Sequence, residues 1–176
     1  MPSPLGHALG GLAAAWLIAP PRAVLSRTHV VRGGLRASGP FAAAAVAPDL
    51  DLLAGTHSTY THSIGAVALV FVAALVVTRG QIRRALAIAG AWATHVLFDW
   101  MGSDTSAPIG VMALWPFSTD HYQSSLYVFD AISRRYWMGW TFVAQNATAI
   151  LREIAILGPL ALVAYLLARR RSVGAG

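Results

Sequence analysis

The chain has no cysteine, which excludes disulfides and thiolate metal sites and leaves its redox compartment unread. It has no lysine, so all 13 basic side chains are arginine. Charge of either sign is scarce: 11% of the 176 residues are charged and 56% are hydrophobic, whereas a soluble domain averages about half apolar and roughly a quarter charged. So little charge cannot cover a water-facing surface, and the composition points to an integral membrane protein. The formal net charge is +6, but the arginines sit in short clusters between apolar runs. That is the pattern of membrane-flanking loops, not of a nucleic-acid-binding face, and no nucleic-acid partner is expected. A basic segment ahead of Leu5–Ala19 is also missing, so this stretch reads as a retained helix and not as a secretory signal. No internal repeat is present, and the length suits a single domain over residues 1–176.

What the chain does have is a series of about five apolar runs: Leu5–Ile18, Pro40–Ala54, Ser63–Thr78, Ala85–Met101 and Ala149–Ala168. Several, at 14–17 residues, are short for a span of roughly 20 residues, but five such runs are too many for one small soluble core. The expected fold is all-α, an integral membrane helical bundle. Gly102–Asp120, broken by Gly102, Pro108, Gly110 and Pro116, reads as loop. Between Trp115 and Phe142 the aromatics crowd, which suggests an interfacial helix followed by a connection, with Arg134 and Arg135 on its polar side. If all five runs cross, the Arg22–Arg36 loop, the Arg79–Arg84 loop and the Arg169–Arg171 tail fall on one side, cytoplasmic by the positive-inside rule. Arg134 and Arg135 do not obey this arrangement.

The ionisable residues inside the apolar runs carry the functional signal, since such groups are costly to keep there. In A-W-A-T-H-V-L-F-D-W-M, His95 and Asp99 stand one helical turn apart on one face and can grip one cation. His7, Asp49, Asp51, His57 and His62 also lie toward the non-cytoplasmic ends of their segments, giving a metal-site layer near one membrane face. Each has a simpler reading alone: a hydrogen-bonded core histidine, a carboxylate capping a helix end, a local His95–Asp99 bond, a solvated His57. Asp49 and Asp51 cannot face one target from a regular helix, because i,i+2 side chains point apart; one is then a ligand and the other a support, or the turn is not α-helical. Without thiolates, the nitrogen and oxygen set suits Zn²⁺, Mn²⁺ or Fe²⁺. Asp104, Asp120 and His121 read as solvated loop residues, with a supporting or substrate-facing role as the rival reading. Glu153 beside Arg152 reads as an ion pair or, functionally, as an acid/base group or an added metal ligand.

H-A-L-G-G near the start, P-D-L-D, H-S-T-Y-T-H-S, H-V-L-F-D and L-W-P-F-S together resemble the YdjM-like family of membrane-bound, metal-dependent hydrolases, over about His7 to Ser118. A more distant similarity is to the zinc-dependent phospholipase C and S1/P1 nuclease group, whose Asp, His and H-x-x-x-D metal ligands would correspond to Asp51 or Asp49, His62, His95 and Asp99, with His7 a further ligand. The second H-x-x-x-E/D pair of that group is absent, so the resemblance implies one or two metal ions and not three. The resulting expectation is a hydrolase at the bacterial inner membrane, its site facing the outer side. His7, Asp51, His62, His95 and Asp99 hold a divalent metal, most simply zinc. Asp49 and His57 orient the activated water or take its proton. The partners would be membrane lipids and an amphiphilic ester or phosphoester substrate. A transporter or proton relay built on the same layer, and a bundle merely stapled by metal, are the rival readings.

Overall fold

The structure is a computed structural model that describes residues 1–19, 32–55 and 57–173. Among these there are five α-helices and no strand: α1 Pro4–Ile18, α2 Arg32–Val46, α3 Ile64–Val77, α4 Ile82–Met101 and α5 Trp140–Val173. Short 3-10 turns cover Ala47–Ala54, Tyr60–His62 and Tyr136–Met138. Helix α1 is central, packing on α2, α4 and α5, while α3 lies against α4.

Small residues explain how one helix reaches three neighbours. A Cβ at Gly10 would lie 2.1 Å from the Phe98 ring of α4, and one at Gly11 would lie 2.3 Å from Ala45 Cβ of α2. Such close approach is how helices associate when burial from water supplies no drive. Ala15, Ala45, Ala87 and Ala91 close the seam around Phe41.

Helix α2 begins before Pro40, where the sequence reading had placed the start of its run, and Pro40 lies inside it. The α-helix stops at Val46 because Pro48 has no N–H for its ladder. The chain continues as the 3-10 turn Ala47–Ala54, closed by Gly55 at φ 70°. The expected interfacial helix between Trp115 and Phe142 does not form. Residues 102–139 are irregular apart from Tyr136–Met138, with Pro108, Gly110 and Pro116 interrupting the first part, and Gly139 at φ 58° turns the chain into α5. Helix α5 therefore starts at Trp140, well before the expected Ala149. The irregular segment packs back on the bundle. The carbonyls of Ala113 and Trp115 accept from the N–H groups of Ile64 and Gly65, at 2.9 Å each, and Ser63 Oγ accepts from Ala66 N at 3.0 Å. The free N–H groups that begin α3 are thereby satisfied.

Among the described residues one helix, Trp140–Arg171, is long and apolar enough to cross a membrane; Pro4–Ile18 and Ile64–Val77 are apolar but shorter. The Arg79–Arg84 turn joins α3 to α4 at one end of the bundle, and Arg171 Nη1 donates to the Leu17 carbonyl at the C-terminal end of α1. Of the Arg22–Arg36 loop, residues 20–31 and the arginine side chains at 32 and 36 lie outside the described residues. The histidines and aspartates singled out above meet at the other end, where α1 and α5 begin and α4 finishes.

Candidate metal centre

Four elements contribute: α1 brings His7, the 3-10 turn after α2 brings Asp49 and Asp51, the 3-10 turn before α3 brings His62, and α4 brings His95 and Asp99. His7, His62, His95 and Asp99 are fully buried.

Helix α4 presents His95 and Asp99 one turn apart, with His95 Nε2 3.2 Å from Asp99 Oδ2. His62 Nε2 lies 3.2 Å from the same oxygen and 3.1 Å from His95 Nε2. The two nitrogens and the oxygen form a nearly equilateral triangle. Asp49 Oδ1 stands over it at 3.6 Å from His95 Nε2 and 3.8 Å from His62 Nε2. A tetrahedral zinc with ligands at about 2.0–2.1 Å would have ligand–ligand edges of roughly 3.3–3.4 Å, within the measured range. Asp49, His62, His95 and Asp99 thus form a group able to hold a metal ion.

The protonation pattern makes the same demand. His95 Nδ1 is 2.7 Å from the Ala45 carbonyl, which can only accept, so Nδ1 carries the hydrogen and Nε2 a lone pair. Pro48, three residues after Ala45, has no N–H to offer that carbonyl, which leaves it for His95. His62 Nδ1 faces Asp51 Oδ2 at 3.1 Å and Thr61 Oγ1 at 2.9 Å, while Thr61 donates to Asp51 at 2.7 Å. Its Nε2 is therefore also an acceptor when the ring is neutral. Two acceptors 3.1 Å apart cannot bond to each other; a cation or a proton must lie between them. Burial alone would favour neutral His62, but Asp49, Asp51 and Asp99 outweigh it and raise its pKa to about 11. Burial likewise pushes the aspartates up and is outweighed. His62 and His95 lower Asp49, and hydrogen bonds from His62, His57 and Thr61 lower Asp51 to about 2.

Both oxygens of Asp99 and both ring nitrogens of His7 are buried without a hydrogen bond. An unsatisfied buried group costs about 1–3 kcal/mol, more when charged, and a divalent ion at the triangle would satisfy Oδ2 of Asp99. His7 belongs to the edge of this site. Its Nε2 is 3.3 Å from Asp99 Oδ1, the oxygen turned away from the triangle, and its ring stacks on His95 at 3.7 Å. Asp51 and His57 lie on the Nδ1 side of His62, not with the converging ligand atoms. His57 Nδ1 is 2.9 Å from Asp51 Oδ1 and 4.0 Å from Asp49 Oδ1. Asp51, His57 and His62 also have metal-ligand spacing, but there the polar atoms already bond to one another. The turn that carries them is 3-10 and not α-helical, and from it Asp49 and Asp51 reach the Nε2 and Nδ1 sides of the His62 ring.

The expected Arg152–Glu153 pair is not made. Arg152 Nη1 bonds Asp130 Oδ1 at 2.7 Å, and Glu153, fully buried, accepts from the Ser3 N–H at 2.7 Å and from the Ser3 hydroxyl. It anchors the start of α1 to α5, because a carboxylate is stabilised at a helix N-terminus. Asp104 accepts from the N–H groups of Ser106 and Gly110 within its own loop. Sequence reasoning missed Thr61 and the Ala45 carbonyl. The hydroxyl beside His62 in T-Y-T-H was a visible signal for the first; a backbone acceptor leaves none.

Residues 1–173 match the family model described as YdjM inner membrane protein. The chain belongs to the YdjM family. The match is longer than the His7–Ser118 stretch that carried the resemblance, and it includes α5. No curated protein and no solved structure matches the chain. For this YdjM family member, the metal-ligand geometry is read from its own residues.

Proposed function

We propose that this inner membrane protein is a metal-dependent hydrolase acting on an ester or phosphoester of an amphiphilic substrate, with zinc the ion that suits the ligand edges. The observation that carries the reading is the contrast between three tightly set ligand atoms and a fourth that stands off. His62, His95 and Asp99 form edges of 3.1–3.2 Å, whereas Asp49 is further away and its side chain is 23% exposed. Catalytic zinc sites keep three protein ligands and one open position, while structural sites are closed by four. A divalent ion bound here would lower the pKa of a coordinated water from 15.7 to about 7 and polarise the bond under attack. His62 and His95 supply neutral lone pairs and Asp99 the compensating charge. Asp51 fixes the His62 ring through Nδ1, the second-shell arrangement that orients metal-bound histidines. Asp49 Oδ1, on the exposed side, would then be placed to take a proton from an activated water, and His57, whose Nδ1 is 4.0 Å from it, would orient that carboxylate. His7 Nε2 lies 3.3 Å from the outer oxygen of Asp99.

Membrane embedding is supported by an inverted distribution of side chains. The largest fully buried side chains include His7, His62, His95, Asp99 and Glu153, while Leu69, Val76, Val77, Leu160, Leu162 and Trp140 are exposed. The arginines at the opposite end of the bundle favour the site facing the outer side. A proton relay would need polar groups continuing towards those arginines. The described core there is Ala15, Ala87 and Ala91 with Phe41, which favours a one-sided hydrolytic site.

Turnover of lipid phosphoesters and carboxylic esters by zinc-loaded protein tests the reading. We expect hydrolysis that disappears on chelation, returns with metal and is lost in Asp49→Asn at unchanged metal content. Metal-loaded protein inert towards both classes would overturn it.

A further inference from the structure

On the far side of His57 from the aspartates lies a cavity of about 210 Å³, lined by His57, Asp104, Ser106, Arg134, Arg135 and Gln145 among others. It shares one wall with the metal centre, because the His57 ring presents Nδ1 to Asp51 and Asp49 and Nε2 to Arg134, whose Nη2 donates to it at 3.3 Å. Arg134 and Arg135 are the arginines that break the charge asymmetry of the chain: they lie at the site end, apart from the cytoplasmic-type clusters. Orientation in the membrane does not call for them there. Among the described residues neither has a carboxylate within ion-pairing distance, in contrast with Arg152 and Asp130. The one acidic group in the cavity wall, Asp104, spends its two oxygens on backbone N–H groups.

The segment bearing the two arginines is also held in place. Asn146 of α5 clamps Ser133 from both sides, accepting from its N–H at 2.7 Å and donating to its carbonyl at 3.0 Å. Ser133 Oγ in turn accepts from the Arg135 N–H. Immediately after the arginines come Tyr136, Trp137 and Trp140, exposed at 76%, 70% and 80%. Exposed Tyr and Trp in a row mark the headgroup level of a bilayer.

We propose that Arg134 and Arg135 form an anion subsite beside the metal centre that takes the phosphate of a membrane-borne amphiphile, so that the substrate is a phosphate-bearing lipid and not a neutral ester. Guanidinium groups suit this task because their planar N–H pairs meet phosphate oxygens in a bidentate fashion. The subsite stands on its own geometry; that its ligand is also the substrate rests on the hydrolase reading above.

The test titrates inorganic phosphate and a short-chain phosphatidic acid, separately, into the full chain in neutral detergent, with metal content measured on each sample. Wild type is compared with the double variant Arg134→Gln/Arg135→Gln, with Arg134→Lys/Arg135→Lys and with His95→Ala. Both probes are expected to bind wild type, the lipid more tightly, with affinity falling at least roughly tenfold per arginine in the glutamine variant. Metal content should be unchanged there, and the lysine variant should recover part of the loss. Unchanged affinity in the glutamine variant overturns the proposal, as does binding that vanishes in His95→Ala while the glutamine variant binds normally, since the anion then sits on the metal. Inorganic phosphate bound with no preference for the lipid overturns the amphiphile. If wild type carries no metal yet still binds phosphate through the arginines, the subsite stands and the hydrolase reading falls.

Discussion

The two nitrogens of His62 face unlike surroundings. On the Nδ1 side, Asp51, His57 and Thr61 form a closed set of hydrogen bonds at 2.7–2.9 Å. On the Nε2 side, His95 and Asp99 crowd together at 3.1–3.2 Å, and neither Asp99 oxygen has a hydrogen-bond donor. One side is complete as protein; the other needs a metal ion or an added proton between its nitrogens. The same residue types in the same buried layer thus do two jobs, and the difference lies in whether their polar atoms satisfy one another. A list of histidines and aspartates cannot reveal this, but the partner of each atom does.

Changes on the Nε2 side should have the largest effects. Asp99→Ala is expected to reduce bound metal to background, as measured by elemental analysis of the purified chain. Asp49→Asn should separate binding from reaction: metal stays near the wild-type level while turnover drops by roughly 10²–10⁴-fold, the usual worth of a general base. On the Nδ1 side the effects should be smaller. Asp51→Asn is expected to weaken metal affinity roughly 10–100-fold, as loss of a second-shell partner does, measured by competition with a chelator. Thr61→Val removes the hydroxyl's hydrogen bond to the ionised Asp51; acting through Asp51, it should weaken affinity less than Asp51→Asn, by roughly tenfold at most.

Proton linkage sharpens the comparison. In the metal-free chain His62 titrates near 11 instead of 6.5, so the stability gained from its positive charge is full below 6.5 and is lost as pH rises towards 11. Asp51 titrates near 2 instead of 3.8, so its contribution is present above 3.8 and is lost as pH falls towards 2. The chelated protein should therefore melt at progressively lower temperature from pH 7 to pH 10, and metal should remove that dependence. Metal uptake at pH 7 should release about one proton from His62, read from calorimetry in buffers of different ionisation enthalpy.

Much of the fold was legible because it rests on local signals. The apolar runs Leu5–Ile18, Ser63–Thr78 and Ala85–Met101 became α1, α3 and α4 with ends shifted by a few residues, and the His95–Asp99 spacing is a property of any helix. What escaped depends on partners distant in sequence. Glu153 binds Ser3 and not its neighbour Arg152 because the two elements meet across 150 residues. The aromatics between Trp115 and Phe142 suggested a helix, but Pro108, Gly110 and Pro116 broke the chain ahead of them and Gly139 reset it, so Trp140 and Phe142 joined α5. The sides taken by Asp49 and Asp51 depended on a 3-10 turn whose start at Pro48 was visible but whose direction was not. Arg134 and Arg135 stand out in the sequence as an exception to the charge pattern; only the nearness of Arg134 to His57 gives the exception a meaning.

The most direct test is the metal content of the full chain, wild type against His95→Ala and His57→Ala, since one histidine lies on each side of the His62 ring. The predicted result is one divalent ion per wild-type chain, absent in His95→Ala and retained in His57→Ala. Metal absent from the wild type, or lost equally on changing either histidine, would contradict the division on which the account depends.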